Sequence, residues 1–291
     1  MNKNLPYGGA WAINDPKLEI FVNESLVKSL EDVSKKDITT IFLNKYQEWI
    51  ASTKFNKFQG VDRFNFSCYS NGTTESFDKF YLKNSSRRFR CFPGEYSYHQ
   101  LSWRNYFPNW KFIEDLDIET NDAVVLSLPF SDTGNKHQDT EKLLEKCSAL
   151  KVPVLIDCAF FGICANIDFD FNYDCITDIT FSLSKTFPVA HYRIGMRLSK
   201  EDDDDSLFVM NKANYTNRLG AALGINLLTY GPDYNWETWS IQQRKFCEEL
   251  GIQPSNSVIF GIDLSRFPMY NRGNRTNRLC FAKYFKDGIL P

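Results

Sequence analysis

The segment SLSKTFPVAHYRIG, from Ser182 to Gly195, holds the residue types best suited to chemistry. Lys185 ends one apolar run and precedes another, so its loop projects the amine toward a crevice at strand ends. Arg193 opens the second run. Taken singly, both residues could equally be solvated loop charges. In VPVLIDCAFFGI, Asp157 closes an apolar strand, where a carboxylate must face a cavity or be paired, or else cap the next helix. In CYSNGTTESF, Gly72, Thr73 and Thr74 occupy a strand-to-helix turn. The free N–H groups and dipole of such a turn suit a phosphate, although an ordinary helix cap uses the same residues.

These residues need elements to position them. Residues 18–50 read as helical, with Ile38, Ile41, Phe42, Tyr46 and Trp49 on one face. Short apolar strands are expected at 64–70, 87–92, 123–129, 152–157, 176–184 and 192–199. Helices follow near Thr73 and at 138–150. Strands this apolar, separated by helices, predict an α/β fold with a mainly parallel sheet covered by helices on both faces. The acidic run Glu201–Asp205 predicts a surface turn, because adjacent like charges need solvent. Helices are expected over 206–250, with two last strands at 257–264 and 277–282.

Composition excludes several classes. The chain has 291 residues, 43% hydrophobic and 24% charged, with a net charge of −2, as expected of a globular protein with a substantial core. No basic stretch is long enough for nucleic acid, and no apolar run is long enough to span a membrane. Eight dispersed cysteines without a CxxC pair, and only three histidines, argue against structural zinc. The opening MNKNLPYGGAW lacks the apolar centre of a signal peptide. Reduced thiols in a cytoplasmic setting are the simplest expectation.

In this order, the motifs resemble the fold type I pyridoxal 5′-phosphate (PLP) enzymes, especially class I and II aminotransferases. The matching pieces are Asn71-Gly72-Thr73-Thr74, the aromatic stretch GEYSYH (94–99), the loop LPFSDTG (128–134), Asp157, Ser182-Leu183-Ser184-Lys185, and Arg193 with Gly195. The resemblance covers about residues 60–230. It implies a PLP-binding large domain at 51–205, preceded by a helical segment at 1–50. Connecting helices and a small, shortened C-terminal α/β domain would fill 206–291.

The resemblance also implies roles. Lys185 would hold the cofactor as a Schiff base, attacking an aldehyde as a neutral amine, which requires a lowered pKa. Asp157 would keep the pyridine nitrogen protonated. Gly72, Thr73, Thr74, Ser182 and Arg193 would hold the phosphate, Ser184 would be a further cofactor-binding residue, and Tyr96, or else Tyr98, would stack on the ring. Two positions depart from the family pattern. Phe160 stands where a tyrosine donates to the cofactor's phenolic oxygen, and Ser131, followed by Asp132, stands where an asparagine and proline are usual. Arg278 is the candidate for the substrate carboxylate, with Arg266, Arg272 and Arg275 nearby as members of a basic loop. Tyr215 and Thr216 would reach a neighbouring subunit's phosphate. The expected activity is transfer of an amino group between an amino acid and a 2-oxo acid in a homodimer. A PLP lyase or decarboxylase, or a non-catalytic binding protein, is the alternative.

Overall fold

Of the chain, the computed structural model describes residues 9–290. The reading of the opening MNKNLPYG, and the first part of the expected 1–50 segment, fall on residues outside that range. The described chain begins with α1 (Pro16–Asp32), whose first turn is capped by Asp15 accepting from Lys17 N at 2.8 Å. Then comes α2 (Ile38–Ala51). Expected as one stretch, these are two helices, separated by a polar turn at 33–37 that carries Lys35 and Lys36. Ile41 was placed on the apolar face but is 45% exposed. The buried face runs through Ile38, Phe42, Tyr46 and Trp49, whose spacing of three and four residues follows one stripe.

The next elements are β1 (Lys57–Gln59), β2 (Phe66–Ser70), α3 (Thr73–Lys83), β3 (Arg88–Cys91), α4 (Ser97–Tyr106), β4 (Trp110–Phe112) and β5 (Asp122–Ser127). They are followed by α5 (Thr140–Leu150), β6 (Val154–Cys158), β7 (Asp168–Asp170), β8 (Ile176–Ser182) and β9 (Gly195–Ser199). The seven-stranded sheet has the order β2-β9-β8-β6-β5-β3-β4. It is parallel except at β9, which runs antiparallel to both neighbours. β5, β6 and β9 are buried throughout, as expected where both faces of a sheet are covered. One aromatic cluster, with Phe77, Tyr81, Phe89 and Trp103, lies apart from the main core that contains Val124, Ile156, Ile179 and Phe181.

The chain continues through α6 (Ser206–Lys212), α7 (Arg218–Leu227) and α8 (Tyr234–Leu250). It ends in a three-stranded antiparallel sheet of β10 (Gln253–Pro254), β11 (Phe260–Asp263) and β12 (Asn277–Cys280). This small layer has its own core, including Phe246, Val258, Phe260, Leu279 and Phe281. α1 and α2 pack on α7 and share the main core.

The acidic run departs from its expected role. Glu201 and Asp202 are exposed, but Asp203 and Asp205 bind the buried Arg197, Asp203 at 2.6 Å. Asp205 also caps α6, accepting from Leu207 N and Phe208 N. A buried guanidinium, not solvent, offsets the clustered charge here. All eight cysteines are free and buried. Among the described residues, no helix is long and apolar enough to cross a membrane.

Candidate active site

A cavity of about 540 Å³ opens at the ends of the parallel strands. Its volume falls within the range of about 300–1,000 Å³ typical of small-molecule sites. Thr73, Thr74, Tyr96, Ser131, Asp157, Phe160, Ser182, Ser184, Lys185, Arg193 and Arg278 all line it. The structure thus brings together residues from six separate stretches of the sequence. Gly72 lies directly behind this lining, where a Cβ would stand 2.4 Å from Arg193 Nη2.

Lys185 lies in the turn after β8. That turn is held by Leu183 N donating to Ile194 O at 3.1 Å, and by Asn235 of α8, whose Nδ2 donates to both Thr186 O and Gly162 O at 3.0 Å. Lys185 Nζ donates to Ala10 O at 2.6 Å. Desolvation lowers the lysine pKa, aided by Arg278 and Arg193 and opposed by Cys280 and Asp157. The direction is the one a nucleophilic amine requires.

Asp157 is near the end of β6, in register with Ser127 of β5 and Thr180 of β8. Its Oδ1 accepts from Ala159 N at 3.0 Å. Burial, then repulsion from Glu95, push its carboxyl up to about 8, while the Ala159 hydrogen bond and Lys185 pull the other way. An acid in this state either stays neutral or meets a cation.

One side of the cavity combines the start of α3 with the turn before β9. Gly72 precedes α3 with φ of 76°, and no side chain caps the helix. Arg193, itself left-handed with φ of 55°, donates to Thr74 Oγ1 at 3.0 Å and to Ala190 O at 3.3 Å. A Cβ on Gly195 would lie 2.9 Å from Gly72 Cα. Glycine at both positions therefore lets the two backbone segments meet. Ser182 Oγ donates to Ser184 Oγ at 2.9 Å beside them. Hydroxyls, a guanidinium and an uncapped helix start form an anion cradle.

The other candidates separate. Tyr96 lines the cavity, whereas Tyr98 does not: its hydroxyl donates to Asp78 at 2.9 Å. Phe160 packs on Phe260, ring centroids 5.4 Å apart. Arg278 is buried, donates to Ser131 O and stacks 4.3 Å over the Phe260 ring. Burial lowers its pKa to about 9, with Arg272 adding to the effect. Arg272, expected in a solvated basic loop, instead lines the cavity beside Asp132, 4.0 Å away. Arg266 and Arg275 stay outside: Arg266 pairs with Asp263 at 3.6 Å, and Arg275 is exposed. Tyr215 is 72% exposed, and Thr216 shares a 2.6 Å hydrogen bond with Thr39, so neither reaches this cavity within the chain.

The sequence reading missed two groups. Glu95 lies inside GEYSYH, where the neighbouring tyrosine drew the assignment, yet it is buried with both carboxylate oxygens on Ser127. The second is the segment Gly9–Ala12, which contributes to the cavity wall and supplies the carbonyl bonded to Lys185. No motif marks it.

Sheet order, one antiparallel strand and a small C-terminal layer together define the fold of the fold type I PLP enzymes. No protein-family model matches the chain, and no curated protein sequence does. Solved structures do. A PLP-bound C–S lyase from Staphylococcus hominis aligns with a TM-score of 0.69 at 11% identity, over 96% of this chain and 90% of that one. An aminotransferase from Staphylococcus aureus aligns at 0.67 and 11%, over 99% and 92%. The histidinol-phosphate aminotransferase from Clostridium acetobutylicum aligns at 0.64 and 17%, over 98% and 96%. The likeness therefore extends beyond residues 60–230 to nearly the whole chain.

Proposed function

We propose that this protein is a PLP-dependent aminotransferase that moves an amino group between an amino acid and a 2-oxo acid. The observation that carries this reading is the convergence of Lys185, Asp157 and the Arg193 cradle on one cavity. Their chemistry fits the cofactor: an amine of lowered pKa for its aldehyde, a buried acid for its ring nitrogen, and an anion cradle for its phosphate.

When bound, PLP supplies a ring that accepts the electrons released at the amino acid's α-carbon. Lys185 would hold the cofactor through its amine and would serve as the base that takes a proton from the substrate's Cα and returns it. Asp157 holds the ring nitrogen in its protonated form. Thr73, Thr74, Ser182, Ser184 and Arg193 hold the phosphate, and Gly72 keeps their segment close. Tyr96 would cover the ring, and Phe160 and Ser131 would border it, Phe160 having no hydroxyl to donate. Arg278 orients the substrate carboxylate.

Elimination or decarboxylation would use the same lysine and differ in which bond breaks. The likeness to a C–S lyase makes elimination the second reading. The exposed Tyr215, just before α7, supports a homodimer in which it faces the neighbouring subunit.

Borohydride reduction of the PLP-treated protein should place the cofactor on the Lys185 peptide. Amino acids added with a 2-oxo acid should then yield the exchanged pair. A label on another lysine, or none, overturns the reading. Release of ammonia or carbon dioxide without amino exchange would replace transamination with elimination or decarboxylation. Labelled Lys185 with no turnover of any amino acid would leave a non-catalytic binding protein.

A further inference from the structure

The loop at 271–278 brings two arginines to the cavity wall. An antiparallel bridge between Asn271 and Asn277 closes it, and Gly273, with φ of 97°, lets it turn. Alternate residues of such a fold-back share a face, so Arg272, Thr276 and Arg278 lie on one side. Asp132 stands against that side. Its Oδ1 is 4.0 Å from Arg272 Nε, and its Oδ2 accepts from Thr276 Oγ1. Burial raises the Asp132 carboxyl, while Thr276, Arg278 and Arg272 pull it back. Asp132 is 0% exposed and occupies the position where the family pattern has a proline, so this acid is particular to the chain.

In the proposed function, on which this inference rests, Lys185, Arg193 and Asp157 serve the cofactor. Arg272 and Arg278 are then the amine or guanidinium groups left on the lining among the described residues. Two guanidiniums beside one buried carboxylate leave a single surplus positive charge. Glu95, the next acid, is buried near Arg272, and any negative charge on it lowers the surplus further. The pair can therefore match one anion and not two. Arg272 also has donors to offer. Its Nε makes no hydrogen bond, and its Nη2 makes a long one, 3.4 Å, to Glu95 O. Much of the remaining lining is apolar, with Ala10, Trp11, Pro129, Ala159 and Phe160. A charged side chain against such a wall is desolvated without a partner, which is costly.

We propose that Arg272 and Arg278 together hold one carboxylate, the substrate's α-carboxylate, with Asp132 as their built-in counter-charge, so that the site takes amino acids with uncharged side chains and disfavours aspartate and glutamate. Arg272 touches the carboxylate. Asp132 touches no substrate and sets the preference through the two arginines.

The test compares leucine with glutamate in the amino-donating half-reaction of the full-length, PLP-loaded protein, followed by visible absorbance. Leucine should have the higher kcat/KM, by about 10-fold or more. Asp132→Asn leaves a second positive charge unmatched and should move that ratio about 10-fold toward glutamate, a change that lost stability alone would not produce. Arg272→Met should raise KM for leucine by about 10-fold with kcat little changed. Glutamate preferred by the parent, a ratio unmoved in Asp132→Asn, or an unchanged KM in Arg272→Met overturns the proposal. If Asp132→Asn does not fold, the parent's ratio and Arg272→Met decide it. The cofactor-free protein separates this proposal from the function it rests on. With inorganic phosphate saturating the Arg193 cradle, calorimetry should show pentanoate binding more tightly than glutarate, which differs by a second carboxylate. Asp132→Asn should narrow that gap, and Arg272→Met should weaken both acids. If PLP does not bind, or no amino acid reacts, the proposed function fails and this titration still decides the charge balance. Glutarate bound as tightly as pentanoate by the parent overturns it.

Discussion

Arg193 and Arg197 lie four residues apart, near opposite ends of β9, and their surroundings contrast. Arg197 is fully buried among carboxylates: Asp178 at 2.7 Å, Asp203 at 2.6 Å, and Asp205. Arg90, in β3, is similar. It pairs with Asp122 at 2.6 Å and donates to the carbonyls of Lys111, Asp117, Phe112 and Leu116. Arg193 meets only a hydroxyl and a carbonyl, with no carboxylate within 4.0 Å among the described residues. At the starts of the parallel strands, buried guanidinium charge is spent internally and locks strands to loops. At their ends, by contrast, Arg193 is held by neutral groups alone. One sheet thus separates an arginine fixed by carboxylates from one that could serve the proposed phosphate cradle.

Substitution should split the two ends. Arg197→Met leaves three carboxylates without their shared cation and should destabilise the fold by about 3–5 kcal/mol, read by urea unfolding. PLP affinity of the folded fraction should change little. Arg193→Met should do the reverse, with stability within about 1 kcal/mol of the parent. Its PLP affinity should fall by about 10- to 150-fold, equivalent to one charge-assisted hydrogen bond of about 1.5–3 kcal/mol. Equal destabilisation by the two variants would erase the contrast.

Much of the cavity lining was legible in the sequence because its polar residues fall at strand ends, where short apolar runs stop abruptly. Asp157, Ser182 to Lys185, and Arg193 could each be placed from the run beside it. Glu95 and Arg272 were not, because their burial depends on contacts across the fold. Arg272 sits in a polar loop, NRGNRT, that looks solvated until Asp132 and the Gly94 turn are seen against it. The structural end was misread for the same reason: nothing local to Glu201–Asp205 reveals that Arg197 turns inward beneath it. Helix boundaries suffered from a different limit. The break at 33–37 lies between two amphipathic stretches that share a period, so the pattern alone reads on through it.

The two ends should also respond oppositely to pH, and this is the smallest expected effect. At the structural end, burial opposes ionisation of Asp205, but the Arg197 hydrogen bond and charge outweigh it and hold the carboxyl below its ordinary value. With a folded pKa below the unfolded one, Asp205 contributes stability above about pH 4 that is lost as pH falls further. At the cavity, burial raises the Asp157 carboxyl to about 8. Its folded pKa exceeds the unfolded one, so the fold favours the protonated acid, and stability is lost as pH rises from about 4 toward 8. Asp157→Asn removes that titration while keeping an oxygen to accept from Ala159 N. Between pH 5 and 8, cofactor-free Asp157→Asn should therefore gain on the parent by about 1 kcal/mol or more, the equivalent of one pKa unit. Measuring the difference between the two chains cancels groups common to both, such as the buried His99, whose imidazole burial holds neutral. A pH-independent difference would mean that Asp157 ionises like a surface acid, and the cavity floor would then resemble the paired carboxylates at the other end.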